Sequence, residues 1–243
     1  MSEPDPQQSI EALASPRVRA QLDEDLSPRR LALRRIAAAN RLLIEDMVGT
    51  QVDPGDLDAV ADELEALGER FRHDRPRSTY EGMAEAAMAG GAIEAFFDHS
   101  PLIGLANPLA PPIRIEMGEE LVTGRVTFGA VYEGPPGCVH GGFVAAAFDE
   151  VLGTAQTYSG APGMTARLTV NYRSPTPLHV PLVIEGRFTR REGRKIFTEG
   201  RILDGDTVTA EAEGLFVTID PTKFRELAEG FDRRIAGDQA DDA

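Results

Sequence analysis

Apolar residues recur at helical spacing through the early part of the chain. Ser27-Pro28 reads as a helix start, with serine as N-cap and proline at the first helical position. Leu33, Ile36, Leu43 and Met47 follow on one stripe, and Gly49 stops the run. Asp53-Pro54 repeats the start signal. Leu57, Val60, Leu64, Leu67 and Phe71 then recur in steps of three and four, the pattern of an amphipathic helix. The turn over 49–53 is short enough for the two helices to pair as a hairpin. Residues 1–26 are polar and proline-containing, and are expected to be frayed or loosely helical. Residues 73–82 read as a linker, and 83–97 as a third helical stretch ending in Phe96-Phe97. From Ser100-Pro101 to Pro111-Pro112 the proline density forbids regular structure and fixes an extended path.

Near residue 113 the period changes to two. Ile113, Ile115 and Met117 alternate with polar residues, and Leu121–Tyr132 is β-branched and alternating. Residues 141–157 are apolar almost all round and alanine-rich, which predicts a buried helix. Four more strands are predicted over Met164–Tyr172, Leu182–Arg190, Lys195–Leu203 and Thr207–Ile219. Turns are expected at Pro175-Thr176-Pro177, Glu192-Gly193 and Asp204-Gly205-Asp206. The order β-β-α-β-β-β-β describes an α+β unit, an antiparallel sheet around one helix. The division expected is a helical extension over 1–98, a sheet-and-helix domain over 99–221, and a short helix with an acidic disordered tail over 222–243.

Composition narrows the function. With 42% hydrophobic and 27% charged residues, the 243-residue chain has the profile of a globular protein large enough to bury a sizeable core. Its formal net charge of −15 is spread along the whole length. That argues against nucleic acid, which demands a basic patch, and against an anionic membrane surface. The N-terminus lacks the basic and apolar regions of a signal peptide, and no apolar run approaches the roughly 20 residues of a membrane span. Cys138 is the one cysteine, so no internal disulfide forms and a cytoplasmic location is expected.

The chemistry converges on Gly134–Gly142, which opens into the apolar helix. The first amides of a helix lack intrahelical partners and lie at the positive end of its dipole. Gly141 and Gly142 would let a ligand oxygen approach those amides closely, as an oxyanion hole for an acyl carbonyl requires. Asp149 follows in the same helix, where a carboxylate is costly unless paired or functional. It lies about two turns from the glycines, roughly 11 Å along the axis. One carbonyl therefore cannot easily touch both within one chain, which favours a site shared between two antiparallel copies. Glu150 is the adjacent alternative carboxylate, pointing about 100° away. His140 reads first as a structural support and second as an acid–base group. Cys138 reads as an inert thiol. Arg191, Arg194 and Lys195 form a basic cluster around Gly193. His73, His99 and His179 have no partners at metal-ligand spacing, so no metal is predicted. There is no glycine-rich phosphate loop or dinucleotide fingerprint.

His140-Gly141-Gly142, with Asp149 nine positions after the histidine, resembles the signature of the hotdog-fold thioesterases of the phenylacetate-pathway (PaaI-like) type. The likeness extends from about Ser100 to Ile219 and includes Ser100-Pro101, Asn107-Pro108, Met164-Thr165-Ala166 and Asn171-Tyr172-Arg173-Ser174-Pro175. The resemblance implies a hotdog fold, at least a homodimer or a dimer of dimers, and hydrolysis of acyl-CoA to free acid and CoA. No cofactor is implied, since CoA belongs to the substrate. By position, Asp149 matches the catalytic carboxylate, as general base or nucleophile. Gly141 matches the amide that polarises the carbonyl, Thr165 a hydroxyl placing water or Asp149, and His140 a loop support. Gly142, Arg173, Arg194 and Lys195 are the expected substrate-binding residues, the cations for CoA phosphates. Some relatives carry an asparagine six residues before the histidine; here that position is Gly134. The rival reading is a non-catalytic acyl-CoA binding or regulatory module of the same fold. A hotdog dehydratase would need a differently arranged histidine and acid. Because all the implied chemistry lies beyond residue 130, the helical extension is expected to be dispensable for the chemical step.

Overall fold

Alternating apolar and polar residues from Arg114 onward build six strands, and the apolar run between the second and third builds one helix. The computed structural model describes residues 28–71, 98–161 and 163–218. Two helices come first, α1 (Pro28–Val48) and α2 (Pro54–Glu69). The strands are β1 (Arg114–Met117), β2 (Val122–Val126), β3 (Gly163–Tyr172), β4 (Leu182–Glu192), β5 (Lys195–Asp204) and β6 (Thr207–Thr218), with helix α3 (Gly141–Ala155) between β2 and β3. They form one sheet in the order β1-β2-β4-β5-β6-β3, every neighbouring pair antiparallel. The sheet wraps α3, which is the hotdog arrangement. The first 26 residues, the linker at 73–82, the helix expected at 83–97 and the C-terminal helix and tail lie outside the described residues.

The core is the inner face of this sheet against one stripe of α3. Val144, Ala147, Phe148, Val151, Leu152 and Ala155 of the helix are buried against Val122, Leu182, Ile184, Ile196, Ile202 and Phe216 of the strands. Burying each large side chain contributes roughly 1.5–3 kcal/mol. Close approach depends on glycine. A Cβ at Gly124 or Gly186 would stand 2.8 Å from a methyl of Val151, and one at Gly200 would stand 3.0 Å from Leu152. Gly214 would bring a Cβ 3.4 Å from Leu152 and 2.8 Å from the Phe216 ring. Gly186 and Gly200 are register partners on β4 and β5, so the side-chain-free track crosses the sheet beneath the helix.

Three expectations are corrected. The strand expected over 121–132 stops at Val126, and Ala130–Tyr132 is a 3-10 turn. α3 ends at Ala155 and continues as a 3-10 turn over Gln156–Ser159, closed by Gly160 at φ 70°. The two N-terminal helices do not close into a hairpin. No residue of α2 is buried, and in α1 only Ala37 is. The reason is that α1 docks on the domain through polar groups, with Ala37 buried and Leu33 and Leu43 only half-buried. Arg30 and Arg34 clamp the buried Asp98. Arg41 donates to the carbonyls of Leu105 and Asn107, and Glu45 accepts from the amides of Ala130 and Val131. Ile36 and Met47, expected on the packed stripe, are exposed.

Gly200→Ala should destabilise the protein by roughly 1–3 kcal/mol, the usual range for overpacking a close-packed interior. Its added Cβ would lie 2.4 Å from the Glu185 carbonyl oxygen, a backbone atom that cannot rotate away. An unchanged urea midpoint would show that helix and sheet have slack at this point.

Candidate active site

The loop that delivers α3 is built from turns that need little side chain. Gly137 adopts φ 72° and its amide donates to Glu133 Oε1 at 2.6 Å. The amides of Gly134 and Cys138 close the turn on the carbonyls of Cys138 and Pro135, both at 2.9 Å. His140 N donates to the Tyr132 carbonyl at 2.8 Å, joining the loop to the 3-10 turn behind it. The Tyr132 ring packs edge-on against Phe128 and Phe143, and its hydroxyl donates to the Leu109 carbonyl at 2.9 Å. Burial pushes the Tyr132 phenol up to about 12, with Arg41 opposing and Glu45 adding to the shift, so the hydroxyl stays a donor.

His140 is the N-cap of α3. Its Nδ1 accepts from Gly142 N at 3.0 Å, and its carbonyl receives the amides of Phe143 and Val144. Gly141 N–H is then the helix-start donor with no acceptor among the described residues, whereas Gly142 N–H is engaged. The Gly141 carbonyl is fixed by the Tyr172 hydroxyl, which donates to it at 2.8 Å. A Cβ on Gly141 would stand 3.1 Å from that hydroxyl. Gly134 is equally constrained, since a Cβ there would stand 2.8 Å from the His140 Cα. An asparagine at this position is therefore incompatible with the observed loop.

Asp149 departs from the picture of a helix buried all round. It is exposed, on the flank of α3 beside the edge strand β3, and Gly142 is exposed as well. One sheet covers one face of a helix, and a single chain supplies only one sheet. Asp149 Oδ1 accepts from the Thr165 hydroxyl at 2.8 Å, and Oδ2 has no partner among the described residues. Thr165 and Tyr172 both reach α3 from β3, although seven positions apart in a strand would place them on opposite faces. A register shift in the pairing with β6 between Thr165 and Arg167 inserts the extra residue that reconciles them. Eight residues of helix, about 12 Å at 1.5 Å per residue, separate Asp149 from Gly141.

A family model described as thioesterase superfamily matches residues 136–211. A thioesterase superfamily protein of known crystal structure is 36% identical, superposes with a TM-score of 0.67, and is matched over 76% of this chain and 94% of its own. The chain belongs to the thioesterase superfamily. The curated relatives include acyl-coenzyme A thioesterase THEM4 of Xenopus laevis, 39% identical over 38% of this chain and 43% of the relative. The protein of the same name from Bos taurus is 38% identical over 39% of this chain and 40% of its own length. The match to these curated relatives thus spans about two fifths of their length. The superfamily segment contains the His140 cap, Gly141, Asp149, Thr165 and Tyr172.

The expected cations are placed less centrally. Arg173 lies on the outer face of the sheet, paired with Glu211 at 2.6 Å. There it lines a polar depression of about 520 Å³ with Glu185, Arg187, Glu199, Arg201 and Glu213. Arg194 donates to the Thr218 carbonyl at 2.9 Å, and Arg191 to Gly193 and Ser159 carbonyls. Lys195 is exposed and has no partner among the described residues. The Ser159 contact sets this hairpin beside the C-terminal end of α3. Among the described residues no group of three or more His, Cys, Asp or Glu side chains is placed to hold a metal ion. Sequence reasoning does not single out Tyr172, because a tyrosine on a strand carries no chemical signature of its own.

The capping geometry predicts that His140→Ala destabilises the protein by about 1 kcal/mol, while His140→Asn, which can also cap, recovers most of the loss. Urea midpoints for the two variants decide this. Equal midpoints for Ala and Asn would remove the capping role.

Proposed function

We propose that the protein hydrolyses acyl-CoA thioesters to the free acid and CoA, with Asp149 as general base and the Gly141 amide as donor to the thioester oxygen. The observation that carries this reading is Asp149: an exposed carboxylate on α3, held at Oδ1 by Thr165 and open at Oδ2. A fixed oxygen and a free one suit a group that takes a proton from water. The names of the curated relatives, acyl-coenzyme A thioesterases, supply the substrate class. Water oxygen attacks the thioester carbon as its proton passes to Asp149, and the carbonyl oxygen gathers charge against Gly141 N–H at the dipole's positive end. The C–S bond then breaks, and the thiolate of CoA leaves and is protonated. A purely ligand-binding domain has no use for such a carboxylate.

We further propose that the working unit is a homodimer or a dimer of dimers. β3 is an edge strand of ten residues with no partner on its outer side among the described residues, and Met164 and Tyr172 are exposed along it. Long open edges are a liability unless paired. Two copies joined at β3 about a two-fold axis run their α3 helices antiparallel, so that Asp149 of one chain approaches Gly141 of the partner subunit. That resolves the separation within one chain. Arg194 and Lys195, at the hairpin beside the end of α3, are the candidates nearest the helix for a CoA phosphate, with Arg173 on the outer face of the sheet. A reducing cytoplasm is the proposed location, and no described helix is long and apolar enough to cross a membrane.

Asp149→Asn should remain folded and lose ~10²–10⁴-fold in thiol release from its best acyl-CoA, the usual cost of a positioned general base. Full turnover by this variant would transfer the role to Glu150 or end the catalytic reading. Sedimentation at micromolar concentration should give at least twice the 26.3 kDa mass of one chain. An active species of single-chain mass would eliminate the shared site.

A further inference from the structure

The 3-10 turn that leads into the active-site loop has no cap of its own. Its N-cap is Gly129, at φ −89° and ψ −172°, with no side chain to accept the first amides. The vacant place is filled from α1. A Cβ on Gly129 would stand 2.4 Å from Glu45 Oε2 and 2.7 Å from Oε1. The Glu45 carboxylate accepts from Ala130 N at 2.7 Å and from Val131 N at 3.4 Å, as an N-cap side chain would, but from a helix 85 residues away. His179, whose Nδ1 is 3.9 Å from Glu45 Oε1, borders it, and His179 N holds the Phe128 carbonyl. The turn so capped ends in Tyr132. The Tyr132 carbonyl takes the His140 amide, and its ring seats Phe143 in the first turn of α3.

We propose that Glu45 is a positioning residue for the Gly141 amide. By capping the turn from α1 it fixes Tyr132, which fixes His140 and the start of α3, and so sets where Gly141 N–H points. The inference rests on the reading that this amide receives the thioester oxygen. It also reverses the expectation that the helical extension is dispensable for the chemical step.

The carboxylate can be removed from either side. Glu45→Ala deletes it. Gly129→Ala displaces it, at small cost to the fold, because the three atoms nearest the added Cβ all belong to the far end of the flexible Glu45 side chain and the backbone angles suit alanine. Glu45→Gln keeps an oxygen that can accept from Ala130 N–H. Each variant of the full chain, and the Glu45→Ala/Gly129→Ala double variant, is assayed for acyl-CoA hydrolysis and for amide hydrogen exchange over residues 128–144. Glu45→Ala and Gly129→Ala should each lower kcat on the order of 10-fold with little change in KM, since small misplacements of a catalytic group are expensive. Glu45→Gln should keep most of the rate. The double variant should be no worse than Glu45→Ala alone, the non-additivity expected of two changes that break one contact. Exchange should quicken at residues 130–141 and stay unchanged in β4–β6. Unaltered kcat and exchange in both single variants would overturn the proposal. So would an additive double variant, or a Gln variant as impaired as Ala. If the wild type cleaves no acyl-CoA, the functional reading fails, and the exchange pattern still decides whether Glu45 holds the loop.

Discussion

Helix α3 can lie on this sheet because four strands offer it no side chain. Gly124, Gly186, Gly200 and Gly214 form the track on which Val151 and Leu152 rest. Flanking positions on the same face, Ile184, Ile196, Ile202 and Phe216, rise around it and are buried. The site inherits its geometry from this seat. With the helix axis fixed, the capped N-terminus and Asp149 are both fixed, one at the helix end and one on its open flank. Interiors packed to crystal-like density transmit strain, so a displacement under Leu152 would be felt at both ends of the helix.

The second constraint is electrostatic. α1 is held by charges and backbone groups: two arginines on Asp98, one on the Leu105 and Asn107 carbonyls, and Glu45 on two amides. Such contacts are directional, and a buried ion pair is costly to break from one side. They define one docking angle for α1, where an apolar stripe would tolerate sliding. The same choice leaves Ile36 and Met47 of α1 and Leu57, Val60 and Leu67 of α2 exposed within the described part of a single chain.

Much of this was legible in the residues. The change from helical to alternating period marks the sheet within a few positions, and the ordered set from Ser100 to Pro175 carries the family. His140 caps the apolar helix that the composition predicts, Gly141 opens it, and Asp149 follows along it. Other features are written in places that local reading does not reach. Arg34 and Glu45 on a helix read as a solvated face, because their partners lie more than sixty positions away. Glycines within strands read as weak points until the helix above them is known. Gly142 looks as available as Gly141 until the His140 ring claims its amide. Asp149 looks interior because an alanine-rich helix reads as apolar all round, and only the fold reveals which flank the sheet leaves open.

The irregularity in β3 has a consequence for how such proteins can diverge. Thr165 serves Asp149 and Tyr172 serves Gly141, and both reach the helix only because an extra residue lies between Thr165 and Arg167. The strand is therefore two half-strands in different phase, each tied to one end of the site. A deletion that restored perfect alternation would leave one tie intact and turn the other to the far side of the sheet. A change of length in this segment breaks one of the two hydrogen bonds in a way that a change of a neighbouring side chain does not. The spacing between these two residues, more than the identity of those around them, is what holds both hydrogen bonds at once.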